Sequence, residues 1–263
     1  MQTKTYLRAG LKVIEYSAAD DAKASGAARQ YILASSDSAV EDEALRCLFE
    51  QHSKHLLSDV ADPEVESGRG KVHFFEHHGR KLVLRQYRRG GLVGALVKRS
   101  YLWLGLENSR PFTELKLLVE LQRLPVNACK PYAARIVRNG LVYQAQLITE
   151  QVTDSQTLGE LLQNAQASNQ VLQLAGEVIR AMHDANIHHA DLNASNILIG
   201  NGEAVLIDFD RGSVRSSARL DWRGANIERL RRSINKLQQR YGFEFSDDQW
   251  RCLLQAYLGN DAG

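Results

Sequence analysis

An α+β fold of two lobes, a small one built on an antiparallel sheet and a mostly helical one after it, is the architecture this sequence predicts. Three observations carry it. Short apolar or alternating runs separated by turn residues, Lys71 to Glu76, Lys81 to Tyr87 and Leu141 to Glu150, read as strands. Apolar residues at helical intervals follow, in Val171 to Ala185 and again in Gly224 to Tyr241. Between those helices, Ile197-Leu198-Ile199 and Ala204-Val205-Leu206-Ile207 flank Gly200-Asn201-Gly202, which predicts a hairpin.

In chain order, residues 1–60 read as an N-terminal extension with a helical brace. The brace lies in Asp37 to Asp59, through Leu45, Leu48, Phe49, Leu56 and Leu57. Residues 61–150 form the small lobe. There Ser67-Gly68-Arg69-Gly70 precedes the first strand, His77-His78-Gly79-Arg80 turns the chain, and the second strand carries Arg85 as the candidate phosphate-binding cation, with Lys81 on the same face as the alternative. Arg110 to Leu121 is helical through Phe112, Leu115, Leu118 and Val119; it offers Glu114, with Glu120 as the alternative, as a partner for Arg85. The strand ending at Glu150-Gln151-Val152 leads into the second lobe, residues 151–263.

The chemistry concentrates in His189-Ala190-Asp191-Leu192-Asn193-Ala194-Ser195-Asn196 and in Asp208-Phe209-Asp210. Moving a phosphoryl group requires alignment of the acceptor hydroxyl and neutralisation of charge building on phosphate oxygens, so few side chains suffice. Asp191 is placed to take the hydroxyl proton. Asn196 and Asp208 offer the oxygen ligands that Mg2+ prefers. The order and spacing resemble protein kinases, whose H-x-D-x-x-x-x-N loop and following Asp supply a base and two metal ligands. That resemblance implies ATP as phosphate donor, Gly68 and Gly70 over the nucleotide, Arg85 on its phosphates and paired with Glu114, and backbone groups near Glu150 and Val152 reading the adenine edge. The pattern also departs from protein kinases. Arg85 stands where a Lys is expected, Ala190 replaces an Arg, and no A-P-E segment follows Asp208, so a small or lipid-linked acceptor fits better than a protein.

A narrower resemblance is to the 3-deoxy-D-manno-octulosonic acid (Kdo) kinases of lipopolysaccharide core synthesis. It lies in Gly68-Arg69-Gly70, Val83 to Leu92 with its Arg89-Gly90-Gly91-Leu92, Ser109 to Glu114, His189 to Leu198, Asp208 to Gly212 and Asn226 to Ser233, spanning about Gly68 to Lys236. It implies phosphorylation of the 4-hydroxyl of a Kdo residue on a lipid A precursor, by a peripheral protein at the cytoplasmic face of the inner membrane, with Asp191 as base. Two other readings share the catalytic residues: an atypical small-molecule or protein kinase, and a catalytically silent binding module of the same fold.

Composition sets the bounds. The 263 residues, 44% hydrophobic and 24% charged, can bury a full core. Cys47, Cys129 and Cys252 are too scattered for a disulfide framework and read as free core thiols of a reducing compartment. No apolar run is long enough to span a bilayer, and no leader pattern opens the chain. The net charge of +2 gives no reason to expect nucleic acid, and no protein partner is expected. Locally, however, Arg85, Arg88, Arg89, Lys98, Arg99 and Arg110 interleave with Leu92, Val93, Leu96, Val97, Tyr101, Leu102, Trp103, Leu104 and Leu106, which suits an anionic lipid surface as well as a packed helix. Arg229, Arg231, Arg232, Lys236 and Arg240 read as a solvated helix face.

Overall fold

The computed structural model describes residues 2–17, 29–36, 40–57, 72–87, 100–216 and 221–259. Two compact units emerge. One comprises residues 1–119 and 130–151, the other residues 120–129 and 152–263.

The first unit is an antiparallel sheet with helices. β1 (Gln2–Arg8), β2 (Leu11–Ser17), β3 (Arg29–Ser35), β4 (Val72–His77), β5 (Arg80–Gln86), β7 (Pro131–Asn139) and β8 (Val142–Glu150) run in the order β1-β2-β3-β7-β8-β5-β4, and the short β6 (Tyr101–Leu102) also pairs with β8. The hairpins close on residues that tolerate left-handed backbone: His78 and Gly79, at φ of 50° and 71°, give the two-residue turn that matches strand twist between β4 and β5. Helix α1 (Asp42–Leu57) sends Leu45, Leu48 and Phe49, spaced for one helical face, into a core with Ile14, Tyr16, Ile32, Leu82, Leu84 and Ile148. Helix α2 (Arg110–Leu121) buries Phe112, Leu115 and Leu118.

Two expectations change here. The segment 1–60 holds the expected helix, yet β1 to β3 are strands of the main sheet, with β3 paired along β7, so this segment is part of the sheet rather than an appendage. Tyr101 and Trp103, which the sequence left between a lipid-facing surface and a packed helix, lie in and just after a strand and pack inward or across the sheet. Trp103 stacks on Tyr31 with centroids 5.5 Å apart, and the Arg110 guanidinium lies 4.7 Å from the Tyr101 ring centroid. Leu102 and Leu104 stand exposed, and the remainder of that basic segment, 88–99, lies outside the described residues.

The second unit is mostly helical. α3 (Leu158–Gln163), α4 (Asn169–Asp184), α5 (Asp221–Tyr241) and α6 (Asp247–Leu258) accompany a small sheet of β9 (Ser155–Thr157), β11 (Ile197–Gly200) and β12 (Glu203–Leu206), ordered β12-β11-β9, and a pair of two-residue strands, β10 (Ile187–His188) and β13 (Ser213–Val214). Reciprocal caps start two helices: Thr157 with Glu160 at α3, and Ser246 with Gln249 at α6. Gly176 of α4 faces α6 so closely that a Cβ there would lie 2.4 Å from the Leu253 carbonyl oxygen. Of the cysteines only Cys129 is buried; Cys47 is exposed and Cys252 intermediate, which corrects the expectation of three core thiols, while all three are free.

Candidate active site

The hairpin of β11 and β12 turns at Asn201 and Gly202, with φ of 53° and 77°, and its open end carries the site. Asn196 immediately precedes β11. Its main-chain carbonyl accepts from the Ile207 N–H at 3.0 Å, and this bond ties the start of one strand to the end of the other. Asp208 is the next residue after Ile207, in left-handed backbone at φ 63°, a conformation Asp adopts more readily than most side chains.

Asp191 lies on the preceding loop. The Asn196 Nδ2 donates to the Asp191 main-chain carbonyl at 3.0 Å, and the Asn193 Nδ2 donates to the same oxygen at 2.9 Å. The Asn193 Oδ1 accepts from the Ser195 N–H at 2.8 Å, an Asx turn that curls the loop. The Asn196 amide is thereby oriented, with its nitrogen spent on the loop and its oxygen as the end that can meet a cation. Among the described residues no three His, Cys, Asp or Glu side chains gather as a ready metal cluster. One amide oxygen and one carboxylate nevertheless suit Mg2+, which keeps waters and completes its shell with substrate phosphates rather than filling an all-protein cage.

His189 fixes this arrangement from below. It is fully buried, its Nδ1 accepts from the Asp191 N–H at 3.2 Å, and its Nε2 is 3.0 Å from the Ile207 carbonyl. The first contact makes Nδ1 an acceptor, so the proton sits on Nε2 and the ring is neutral. Burial pushes its pKa below the usual histidine value, in the same direction. The ring also packs against Phe209, centroids 4.8 Å apart. One side chain therefore joins the loop bearing Asp191 to the segment bearing Asp208.

Helix α5 holds the loop at three points. Asn226 Nδ2 donates to the His189 carbonyl at 2.8 Å, the Ser233 Oγ accepts from the Ala194 N–H at 3.1 Å, and the Arg229 guanidinium donates to Asp191 Oδ1. Residues 226, 229 and 233 share one helical face. Sequence reasoning placed Arg229 on a solvated face and missed this; the spacing of Asn226, Arg229 and Ser233 was the available signal, obscured by the many cations of the helix. Arg231 is also engaged, paired with Asp247 at 2.8 Å and 4.8 Å from the Trp250 ring centroid.

In the first unit, Arg85 of β5 meets Glu114 of α2, Nη2 to Oε1 at 2.5 Å, and the Tyr87 hydroxyl donates to the other carboxylate oxygen at 2.5 Å. The Glu114 side chain is 1% exposed and that of Arg85 24%, so a nearly inaccessible carboxylate anchors a cation that reaches the surface. Lys81 is exposed on the same strand, and Glu120 belongs to the other unit. Glu150 directs its side chain to Arg80 at 3.0 Å, and its N–H donates to the Lys130 carbonyl. The Val152 carbonyl accepts from the Ser155 hydroxyl at 2.8 Å. Gly68 and Gly70 lie outside the described residues.

Residues 56–257 match the model of the lipopolysaccharide kinase (Kdo/WaaP) family. The chain is similar to proteins named 3-deoxy-D-manno-octulosonic acid kinase. It is 40% identical to that of Photobacterium profundum, over 72% of this chain and 80% of the relative. Against the Vibrio parahaemolyticus protein the figures are 42%, 72% and 79%, and against that of Haemophilus influenzae 38%, 72% and 82%. A solved structure of WaaP in complex with acyl carrier protein aligns with a TM-score of 0.48 at 15% identity, covering 73% of this chain and 76% of that one.

Proposed function

The chain belongs to the lipopolysaccharide kinase (Kdo/WaaP) family, a family of phosphotransferases, and from that premise we propose that it moves the terminal phosphoryl group of ATP to the 4-hydroxyl of a Kdo unit on a lipid A precursor. The observation that carries this reading is the tie between the loop and the hairpin: the amide of Asn196 on the Asp191 carbonyl, and the N–H of Ile207 on the Asn196 carbonyl. One bond from the Asn196 side chain and one between main chains thus join the loop of Asp191 to the residue before Asp208, which supports assigning the three to one site.

In the proposed reaction the acceptor oxygen forms its bond to phosphorus as the bond to the ADP oxygen breaks, and the hydroxyl proton passes to the Asp191 carboxylate. Asn196 and Asp208 are the residues that would hold Mg2+, whose chemistry is to neutralise charge on the phosphate oxygens. Neutral His189 keeps the Asp191 main chain in place without adding a proton that would compete at the site. Arg85, restrained by Glu114, is the cation assigned to the nucleotide phosphates; as a guanidinium it stays charged and can fork onto two oxygens. The carbonyl of Glu150 and the N–H of Val152 are the backbone groups assigned to the adenine edge. The same proposal puts the work at the cytoplasmic face of the inner membrane, where ATP and a lipid-linked acceptor meet. Among the described residues no helix is long and apolar enough to cross a bilayer.

The test is mass spectrometry of a Kdo-bearing lipid A precursor after incubation with the protein, ATP and Mg2+. One added phosphate on the sugar is expected, and Asp191→Asn should lower turnover by about 10²–10⁴-fold, the range for loss of a general base, with the thermal transition retained. Undiminished transfer by Asp191→Asn would remove Asp191 as base.

A further inference from the structure

The guanidinium of Arg229 sits on Oδ1 of the residue assigned as base, and neither side chain is buried: 46% of Arg229 and 51% of Asp191 remain exposed. Two features separate this pair from an ordinary surface bridge. First, Arg229 comes from the helix face that also grips the loop through Asn226 and Ser233, one turn to either side, so its stem is held in register with the loop. Second, its anionic partner is one that the reaction must free. The acceptor hydroxyl cannot meet Oδ1 while the guanidinium occupies it, so turnover calls for the cation to be drawn off, or shared, when the acceptor arrives.

The chemistry of the acceptor supplies what would draw it. Kdo is a sugar acid, and its carboxylate presents the planar pair of oxygens that a guanidinium forks onto. We propose that Arg229 is the residue that recognises the acceptor's carboxylate, pairing with Asp191 in the free protein and turning to the sugar acid on binding. The inference rests on the Kdo reading above and deepens it, adding a specificity residue. The exchange replaces one ion pair with another, so bringing Arg229 to the substrate leaves no unpartnered cation, and Asp191 Oδ1 is released for the hydroxyl proton at the same moment. Only an acidic acceptor would complete the exchange; a neutral sugar would leave Arg229 on the base. Arg215 is a nearby control: Arg215 and Arg229 both depress the pKa of His188, behind the larger effect of burial, yet among the described residues the Asp191 carboxylate is ion-paired with Arg229 and not with Arg215.

The experiment compares initial rates on the Kdo–lipid A precursor and on the methyl ester of its sugar carboxylate, for the wild-type chain, Arg229→Gln, Arg229→Lys and Arg215→Gln. The wild type should prefer the free acid by at least tenfold in kcat/KM. Arg229→Gln should lose that preference through a higher KM for the acid, with KM for ATP unchanged, Arg229→Lys should keep part of it, and Arg215→Gln should keep all of it. A wild type that uses acid and ester equally overturns the proposal, and that measurement needs no variant to fold. So does an Arg229→Gln protein that retains the preference, or one in which kcat alone falls. The two readings fail separately: transfer to Kdo with indifference to the ester removes only the role of Arg229, whereas no transfer to Kdo by the wild type removes the function on which it rests.

Discussion

The contact between Arg85 and Glu114 shows how one buried carboxylate can define a cation's position. Glu114 is nearly inaccessible and has both oxygens engaged, by Arg85 and by the Tyr87 hydroxyl, and the Arg85 guanidinium lies 4.8 Å from the Tyr87 ring centroid. A carboxylate so far from water persists because each oxygen is bonded, and removing its charge breaks a mostly buried ion pair. Glu114→Gln keeps the volume and loses the charge, so it should lower unfolding free energy by about 3 kcal/mol, the lower end for breaking a buried pair because Arg85 is partly exposed. Tyr87→Phe, which removes one hydroxyl donor, should cost about 1–2 kcal/mol. Urea titrations of the three proteins check both values; equal midpoints for Glu114→Gln and the wild type would mean that the ion pair contributes nothing to the folded state. If Arg85 serves the nucleotide as proposed, Glu114→Gln should also raise KM for ATP more than Tyr87→Phe does.

Among the elements, α4 and α6 illustrate a contact that composition conceals. Alanine usually stabilises a helix relative to glycine, by about 1 kcal/mol. At Gly176 the added Cβ would lie 2.4 Å from the Leu253 carbonyl oxygen and 2.9 Å from the Tyr257 nitrogen, both backbone atoms that cannot rotate away. Gly176→Ala should therefore destabilise, by about 1–3 kcal/mol as the helices are forced apart, despite its better propensity; a raised melting temperature would show that the helices do not approach so closely. The same scale explains what the sequence disclosed and what it withheld. Helices α2, α4 and α5 and the hairpin at Asn201 and Gly202 were legible because apolar periodicity and a two-residue turn are local signals. Strands β1 to β3 were not. Each is readable only as a short run, and what makes them strands of the main sheet is the pairing of β3 with β7, about a hundred residues away in the chain. Asp191, Asn196 and Asp208 could be nominated from sequence because their spacing is local. The contact of Arg229 with Asp191 was harder to read, because it depends on α5 lying against the loop, and the neighbouring arginines obscure the spacing that sets this one apart.

At the scale of the second unit, a buried polar chain links its helices to the loop that bears Asp191. His183 of α4 is fully buried; its Nδ1 is 2.9 Å from the Tyr257 hydroxyl of α6, and its Nε2 is 3.1 Å from the Asn226 Oδ1 of α5. Asn226 in turn donates its Nδ2 to the His189 carbonyl, so its Oδ1 can only accept, which places the imidazole proton on Nε2 and makes Nδ1 the acceptor for Tyr257. This network is complete only with a neutral ring, and burial pushes the His183 pKa down to about 4. The unfolded chain, with an ordinary histidine pKa near ~6.5, binds this proton earlier. The stability that His183 contributes is therefore fully present above that unfolded value and is lost as pH falls toward about 4. Full passage through that window removes about 3 kcal/mol from this one group, and His188 and His189, both shifted downward chiefly by burial, act in the same direction. Carboxylates also titrate on the way down, so the prediction is a difference between proteins. His183→Gln can still donate to Asn226 and accept from Tyr257 but binds no proton, so between pH 7 and pH 5 the wild type should lose about 2 kcal/mol more unfolding free energy than the variant. Urea midpoints at the two pH values measure it. Parallel losses in both proteins would mean that the folded state protonates His183 as readily as the unfolded chain does, so that the network would not require a neutral ring.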